Sequence, residues 1–209
     1  MRAQRLIFPR SIVAMFLAAS IGVMALWTET DGLRAFTSES ARRLRVAKAP
    51  VIVPPARLEL ATGETMDFAD FAGRIVLVDF IYTRCPTLCV TLGTTFARLQ
   101  DILQRAGRDD VRLLSISFDP EHDTPEALRA YGEAHGADMR LWSLARVQDA
   151  AKLKHLLTIF GIVVIPDEFG GFTHNAAIHL IDRDGRLARI FDQDNIDAVL
   201  ERIGAWRHG

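Results

Sequence analysis

Cysteine is scarce in this chain, and so is any excess of charge. The 209 residues contain two cysteines, Cys85 and Cys89, so a metal site built on thiolates must take any further donor from another residue type. The formal net charge of −1 leaves no electrostatic footprint for nucleic acid, which argues against a nucleic-acid-binding protein. Internal repeats and low-complexity tracts are also lacking, so a single globular domain is the simplest organisation.

The N-terminus has the pattern of a membrane anchor. Three arginines within residues 1–10 precede an uncharged apolar stretch at 11–27, and its length of about 17 residues is at the lower end of the spanning range. Large residues stand where a signal-peptide cleavage site needs small ones, which favours an uncleaved signal anchor over a cleaved signal peptide. The positive-inside tendency predicts that residues 1–10 are cytoplasmic and that everything after the anchor is exported. Residues 28–54 combine charge with proline and few large apolar side chains, which predicts a linker.

Residues 55–209 are predicted to form one α/β domain. Near-continuous apolar runs at 75–81 and 111–118 are typical of strands that are covered on both faces. The other predicted elements are a hairpin at 57–68, helices at about 89–105, 125–134, 147–160 and 196–206, and strands at 141–142, 176–181 and 187–191. This order predicts a mixed sheet with helices on both faces, which is a thioredoxin-like arrangement.

The two cysteines stand together where the 75–81 strand gives way to the first long helix. Pro86 suits a first helical turn, so Cys85 is expected near the helix N-cap, where free amides and the helix dipole lower the pKa of a thiol. Such a pair can cycle between dithiol and disulfide, or it can bind a soft metal ion. At helical i,i+4 spacing the Cβ atoms lie roughly 5–6 Å apart, whereas a disulfide needs about 3.5–4.5 Å. The spacing therefore favours a metal and leaves the disulfide open.

A two-thiolate site needs a third donor, and histidine is the available type. His174 precedes the 176–181 strand, and in a thioredoxin-like sheet the loop that enters this strand faces the cysteine turn. His179 has odd spacing from His174, so in a regular strand it points to the opposite face and is expected to be a packing residue. From the residues alone, His174 is either a metal ligand or a surface histidine.

Three segments together resemble the Sco/SenC family. They are DFIYTRCPTLC at 79–89, SFDPEHDTP at 117–125, and THNA at 173–176 followed by DRDG at 182–185. The resemblance covers residues 55–205 and implies a membrane-anchored, thioredoxin-like copper protein. Its implied role is to help build the binuclear copper centre of cytochrome c oxidase, as a copper chaperone, as a reductant of the target's cysteines, or as both.

The resemblance also implies residue roles, a set of partners and a location. Cys85, Cys89 and His174 match the family's copper ligands, which suit Cu(I) and Cu(II), and Asp119 matches an acidic residue linked to copper handling and partner recognition. The implied partners are the copper-site subunit of the oxidase and other periplasmic copper carriers. The implied location is the inner membrane with the domain facing the periplasm, or the intermembrane space of a mitochondrion.

Three other functions are compatible with a cysteine pair. The main alternative is a membrane-tethered thiol–disulfide oxidoreductase that cycles Cys85 and Cys89 without needing His174. A peroxide-reducing enzyme would use Cys85 as the attacked thiolate, but position 82 is tyrosine where that chemistry usually has threonine. A copper or redox sensor that signals through a partner is the last possibility. His174 separates the first of these from the copper chaperone, because only the copper site loses a donor when the imidazole is removed.

Overall fold

Six α-helices and ten β-strands occur in the part of the chain that the computed structural model describes, residues 10–30, 37–85, 88–168 and 170–206. The side chains of residues 10, 11, 29, 38 and 88–90 lie outside this description. The helices are α1 (Arg10–Glu29), α2 (Ser38–Lys48), α3 (Leu88–Arg105), α4 (Pro125–Ala134), α5 (Ala150–Phe160) and α6 (Ile196–Ala205). The strands are β1 (Val51–Ile52), β2 (Arg57–Leu60), β3 (Thr65–Asp67), β4 (Ile75–Ile81), β5 (Val111–Ser117), β6 (Trp142–Arg146), β7 (Val164–Pro166), β8 (Phe172–His174), β9 (Ile178–Ile181) and β10 (Arg186–Phe191).

The chain divides into two units, Met1–Arg45 and Val46–Gly209. In the first unit, large apolar side chains of α1 such as Phe16, Leu17 and Met24 are exposed. Within the described residues, no helix combines the length and apolar character that crossing a membrane requires. The anchor expected at 11–27 is therefore not confirmed and stays a prediction.

Helix α2 occupies residues for which the sequence predicted a linker. Its composition is polar, and Glu39 forms ion pairs of 2.9 Å with both Arg42 and Arg43. Pairs at i,i+3 and i,i+4 stabilise a helix without an apolar stripe, which explains why hydrophobic periodicity gave no sign of it. The second unit begins at Val46, before the expected boundary at residue 55.

The second unit is built on an eight-stranded sheet in the order β1-β10-β9-β4-β5-β6-β2-β3. Strand β4 lies inside this sheet, where it pairs in parallel with β5 and antiparallel with β9. All seven residues of β4 are buried, as its continuous apolar run predicted. Because β4 and β5 are parallel, the turns that follow them lie at the same edge of the sheet.

Helices cover both faces of the sheet. On one face, Phe160 of α5 packs on Phe80 of β4 with ring centroids 5.1 Å apart. On the other, Phe96 of α3 packs on Trp142 of β6 at 5.7 Å. Since successive strand residues alternate between faces, Asp79 lies on the side opposite to Phe80, the side covered by α3. The predicted mixed sheet with helices on both faces is confirmed.

The structure departs from the sequence prediction mainly after residue 141. Strand β6 continues to Arg146, and α5 begins at Ala150, where Asp149 caps it by accepting bonds from two backbone amides. Strands β7 and β8 form a separate two-stranded sheet that the sequence did not predict. Each has three residues, and β7 ends in a proline, so neither carries an alternating pattern long enough to recognise. His174 thus ends a strand of its own instead of lying in a loop.

Candidate metal centre

The cysteine turn follows directly from the end of β4. The amide of Cys85 donates a hydrogen bond of 3.3 Å to the carbonyl of Tyr82, which closes a tight turn over residues 82–85, and the Cys85 side chain is buried. Helix α3 begins at Leu88, so Cys89 lies in its first turn. Residues 86 and 87 lie outside the described residues, and with them the expected placement of Pro86. The side chain of Cys89 also lies outside, so the pairing of the two sulfurs stays a prediction.

Asp123 fixes the cysteine turn to the end of β5. Its carboxylate is fully buried and accepts hydrogen bonds from the Thr83 amide, at 3.1 and 3.2 Å, and from the Thr83 hydroxyl at 2.6 Å. The Ser117 hydroxyl donates to the same carboxylate. A buried carboxylate satisfied by several donors holds its surroundings rigidly. Asp123 therefore sets the position of the backbone two residues before Cys85.

Asp119 lies beside Asp123 and binds two cationic or titratable side chains. Its carboxylate pairs with Arg84 Nη2 at 2.8 Å and with His122 Nδ1 at 2.9 Å, while only 6% of its side-chain surface is exposed. Arg84, which is adjacent to Cys85 in the sequence, directs its guanidinium to this carboxylate. Asp119 thereby ties the residue adjacent to Cys85 to the loop between β5 and α4.

His174 is held in a form that suits metal binding. Its Nδ1 lies 3.1 Å from the Asn175 carbonyl oxygen. A carbonyl can only accept, so Nδ1 carries the proton and the lone pair of the neutral ring is on Nε2. Burial lowers the pKa of His174, with the bond to the Asn175 carbonyl opposing the decrease. The imidazole is therefore neutral at neutral pH, as a metal ligand must be.

Aromatic rings join His174 to the ends of β4 and β5. We call Tyr82, Phe118 and Phe172 the aromatic cluster. The ring centroid of His174 lies 4.8 Å from that of Phe118 and 6.2 Å from that of Tyr82. Phe118 immediately precedes Asp119, and Tyr82 is three residues before Cys85. The fold thus brings the cysteine turn, Asp119 and His174 to one edge of the sheet.

The second histidine of interest, His179, is a packing residue, as the sequence predicted. His179 is fully buried, and its Nε2 lies 3.0 Å from the Phe160 carbonyl oxygen. It lies within the core between β9 and α5, where its ring contacts Phe80 and Phe160. Among the described side chains, no group of three cysteine, histidine or carboxylate residues is close enough to hold a metal ion. Cys89, one of the three expected ligands, is outside that set.

Asp79 is a buried carboxyl on the strand that leads to the cysteine turn. Neither of its oxygens has a hydrogen-bond partner among the described residues, and its side chain is fully buried. Burial raises the pKa of Asp79 to about 7, while the nearby Ser115 hydroxyl, which accepts from Trp142 Nε1 at 2.9 Å, opposes the rise. The group can therefore exchange a proton near neutral pH.

Comparison with known proteins identifies the family to which this chain belongs. The sequence profile described as SCO1/SenC matches residues 47–206, which is most of the chain. The chain belongs to the SCO1/SenC family. A curated member, the SCO1 protein homolog of Bacillus subtilis strain 168, is 25% identical to it over 142 residues, which cover 67% of this chain and 73% of that protein.

Solved structures of SCO1/SenC proteins share the fold. A family lipoprotein from Bacillus anthracis superposes with a TM-score of 0.66 at 23% identity, covering 75% of this chain and 98% of that one. ScoI from Bradyrhizobium japonicum, solved with copper bound, gives a TM-score of 0.60 at 26% identity, covering 73% and 99%. The predicted thioredoxin-like fold is confirmed.

Some site residues of this SCO1/SenC protein were not identified from its sequence. Asp123 and Thr83 are 40 residues apart, and nothing in their local patterns predicts that they meet. The sequence gives no sign of a structural role for Tyr82, which stands where peroxide-reducing chemistry usually has threonine. Asp79 did have a visible signal, since it is the one charged residue within an otherwise apolar seven-residue strand.

Proposed function

We propose that this protein is a copper metallochaperone that assists assembly of the binuclear copper site of cytochrome c oxidase. Cys85, Cys89 and His174 are the proposed ligands. The observation that carries the proposal is the state of His174, a neutral imidazole whose Nδ1 is bonded to the Asn175 carbonyl and whose ring is joined through the aromatic cluster to the cysteine turn. Family membership and the copper-bound relative support it.

The proposed donor set matches the chemistry of copper. Two thiolates and one imidazole are soft and borderline donors that suit Cu(I), and with a water or carboxylate they can also hold Cu(II). The hydrogen bond from Nδ1 to the Asn175 carbonyl fixes the tautomer of His174, which is the usual function of a group behind a metal-binding histidine. Copper is the cargo here, so binding must be firm and still reversible toward the acceptor.

Asp119 is proposed to act on the site indirectly. Its carboxylate is already bound to Arg84 and His122, and it is almost fully buried, which argues for a structural connection to the cysteine turn rather than a direct copper bond. His122, half exposed beside it, gives this connection a surface that a partner protein can contact. The proposed partners are the copper-site subunit of the oxidase and periplasmic copper carriers.

The proposed location is the outer side of the cytoplasmic membrane, or the intermembrane space of a mitochondrion. The exposed apolar side chains of α1 and the arginines before it support a tether, with the segment after α1 as linker. Sedimentation of the full chain with membranes, and its release by detergent but not by carbonate, would support the anchor. Release by carbonate would contradict it.

A second activity, reduction of a target disulfide, is favoured by one observation. Asp79 offers a buried carboxyl, without a hydrogen-bond partner among the described residues, on the strand that leads to Cys85. In this reaction the Cys85 thiolate attacks the target disulfide and releases one target thiolate. Cys89 then gives its proton to the released target thiolate and attacks Cys85, which displaces the second target thiolate, so that the target gains two electrons and the Cys85–Cys89 disulfide forms.

Anaerobic titration of the reduced full chain with Cu(I) against a competing chelator tests the copper proposal. We expect one tightly bound ion per chain, with affinity reduced at least tenfold in both His174→Ala and Cys89→Ser. His155→Ala, at an exposed position on α5, is the matched control and should bind as the wild type does. If His174→Ala also binds like the wild type, while the cysteines still reduce a disulfide, the oxidoreductase becomes the better account.

A further inference from the structure

The Tyr82 hydroxyl joins the strand before the cysteine turn to the hairpin that carries His174. It donates a hydrogen bond to the Phe172 carbonyl oxygen and accepts one from the Phe172 amide, each with a donor–acceptor distance of 3.3 Å. The tyrosine side chain is only 4% exposed, so water cannot readily replace either bond. One side-chain oxygen thus pairs with both backbone polar groups of a residue two positions before His174.

The pairing within the hairpin explains why Phe172 is available for these bonds. Phe172 stands opposite Pro166 in the β7–β8 register, at a non-hydrogen-bonded pair, because bonded and non-bonded pairs alternate in an antiparallel ladder and the next pair, Asp167 with Gly171, is bonded. The amide and the carbonyl of Phe172 therefore point away from β7. The adjacent hydrogen bond of the hairpin runs from the Asp167 amide to the Gly171 carbonyl, at 2.9 Å. The amide and the carbonyl of Phe172 therefore both form their hydrogen bonds with the Tyr82 hydroxyl, which occupies the position that a neighbouring strand would have.

A two-stranded hairpin is marginally stable alone, so it depends on ties to the rest of the domain. At its base, Asn175 accepts a bond of 2.7 Å from the Val163 amide and donates one of 3.0 Å to the Gly161 carbonyl. Toward its tip, the hydroxyl of Tyr82 is the corresponding tie. His174 lies between these two attachments, so its distance from the cysteine turn depends on both.

Close approach at the tip requires a glycine. A Cβ at position 171 would lie 3.3 Å from the Tyr82 hydroxyl oxygen and 2.8 Å from Asp167 Oδ2. The ring of Tyr82 also packs edge-on against Phe172, with centroids 5.3 Å apart. The ring contact and the hydrogen bonds are separable, because phenylalanine keeps the first and removes the second.

We propose that the Tyr82 hydroxyl is a positioning group that holds the His174 hairpin against the cysteine turn and thereby slows the release of copper. This inference rests on the proposed function of His174 as a copper ligand. Tyr82 touches neither copper nor a target and acts through His174 alone. The two hydrogen bonds of the Tyr82 hydroxyl would then set how firmly the protein retains copper before it delivers the ion.

The test is the rate at which the Cu(I)-loaded full chain transfers copper to an excess of chelator. Loss of the two bonds in Tyr82→Phe should raise the release rate about five- to tenfold. The chain has one other tyrosine, Tyr131 in α4, so Tyr131→Phe is the matched control and should leave the rate unchanged. Amide exchange at Phe172 should also become faster in Tyr82→Phe and stay unchanged in the control.

A double-mutant cycle with His174→Ala distinguishes positioning from general destabilisation. If Tyr82 acts through His174, Tyr82→Phe should have no effect on copper release in the His174→Ala background. The absorption bands of the Cu(II)-loaded protein should also shift in Tyr82→Phe and remain fixed in Tyr131→Phe. If Tyr82→Phe unfolds the protein, Gly171→Ala perturbs the same contact from the hairpin side and should raise the release rate in the same direction.

The possible outcomes separate this proposal from the function on which it rests. Failure of the wild type to bind copper, or wild-type binding by His174→Ala, would overturn the proposed function itself. If the wild type binds copper and His174→Ala binds it weakly, as expected, but Tyr82→Phe releases copper at the wild-type rate, only the positioning role of Tyr82 is overturned. An effect of Tyr82→Phe that persists undiminished without His174 would overturn it as well.

Discussion

Replacing Asp79 by asparagine should change how the stability of the protein depends on pH. The carboxyl is fully buried, and its pKa is about 7 in the folded chain, compared with its ordinary value of 3.8. Because the folded state holds this proton more tightly than the unfolded state does, stability is fully present below 3.8 and is lost as pH rises through about 7. Asparagine has the same shape and does not ionise.

The size of the effect follows from the interval between the two pKa values. That interval, from 3.8 to about 7, corresponds to a free-energy loss of about 4 kcal/mol, with a slope of about 1.4 kcal/mol per pH unit. Between pH 5 and pH 8.5 the wild type should lose about 3 kcal/mol relative to Asp79→Asn. The buried amide of asparagine adds its own cost, about 1–3 kcal/mol, but this cost is the same at every pH.

The assay is urea unfolding of the reduced, copper-free full chain, followed by tryptophan fluorescence at several pH values. Trp142 is fully buried and donates a hydrogen bond to Ser115, the register partner of Asp79 on the adjacent strand β5, so its emission reports on this region. Asp109→Asn, at an exposed position, is the control and should follow the wild-type slope. If the difference between wild type and Asp79→Asn does not change between pH 5 and pH 8.5, the reasoning about the buried carboxyl is refuted.

Two further substitutions test the packing around the site. Gly93→Ala places a methyl group on the ring of His135, so it should lower the free energy of unfolding, measured by urea titration, by about 1–3 kcal/mol. Adding His135→Ala to the same chain should recover part of this loss. If the losses of the two substitutions are simply additive, the proposed clash is contradicted. Asp123→Asn removes an acceptor of the Thr83 hydrogen bonds, so it should destabilise the protein by about 2–3 kcal/mol. It should also weaken Cu(I) binding, measured by competition with a chelator. Unchanged copper affinity would show that the cysteine turn keeps its position without the Asp123 carboxylate.

Those parts of the fold that depend on local patterns could be predicted from the sequence. The continuous apolar run of β4 predicted a strand covered on both faces. The helix predicted at 125–134 is α4, which starts at Pro125 with the Thr124 side chain accepting from the Ala127 amide. Both signals are complete within a few residues. Their physical causes, burial on two sides and the unsatisfied amides of a first helical turn, act at the same short range.

Elements stabilised by distant contacts could not be predicted in this way. The β7–β8 hairpin is short and interrupted by proline and glycine, and its attachment depends on Tyr82, 90 residues before Phe172. Likewise, Arg84 is adjacent to Cys85 in the sequence, but the structure pairs its guanidinium with Asp119, which is 35 residues further along the chain. Sequence spacing predicted the chemistry of the candidate site, but its supporting contacts depend on the tertiary fold.

The contacts that build the site join residues that are far apart along the chain, and this has a consequence for how the protein is made. Thr83 must meet Asp123, 40 residues later, and Tyr82 must meet Phe172, 90 residues later. Contacts between distant residues form after local ones, because the entropy of closing the intervening loop must be overcome first. An incomplete nascent chain can therefore expose the cysteine turn before His174 is in place. We expect firm metal loading only after the last third of the domain has emerged and folded, which would protect an incomplete chain from trapping copper prematurely.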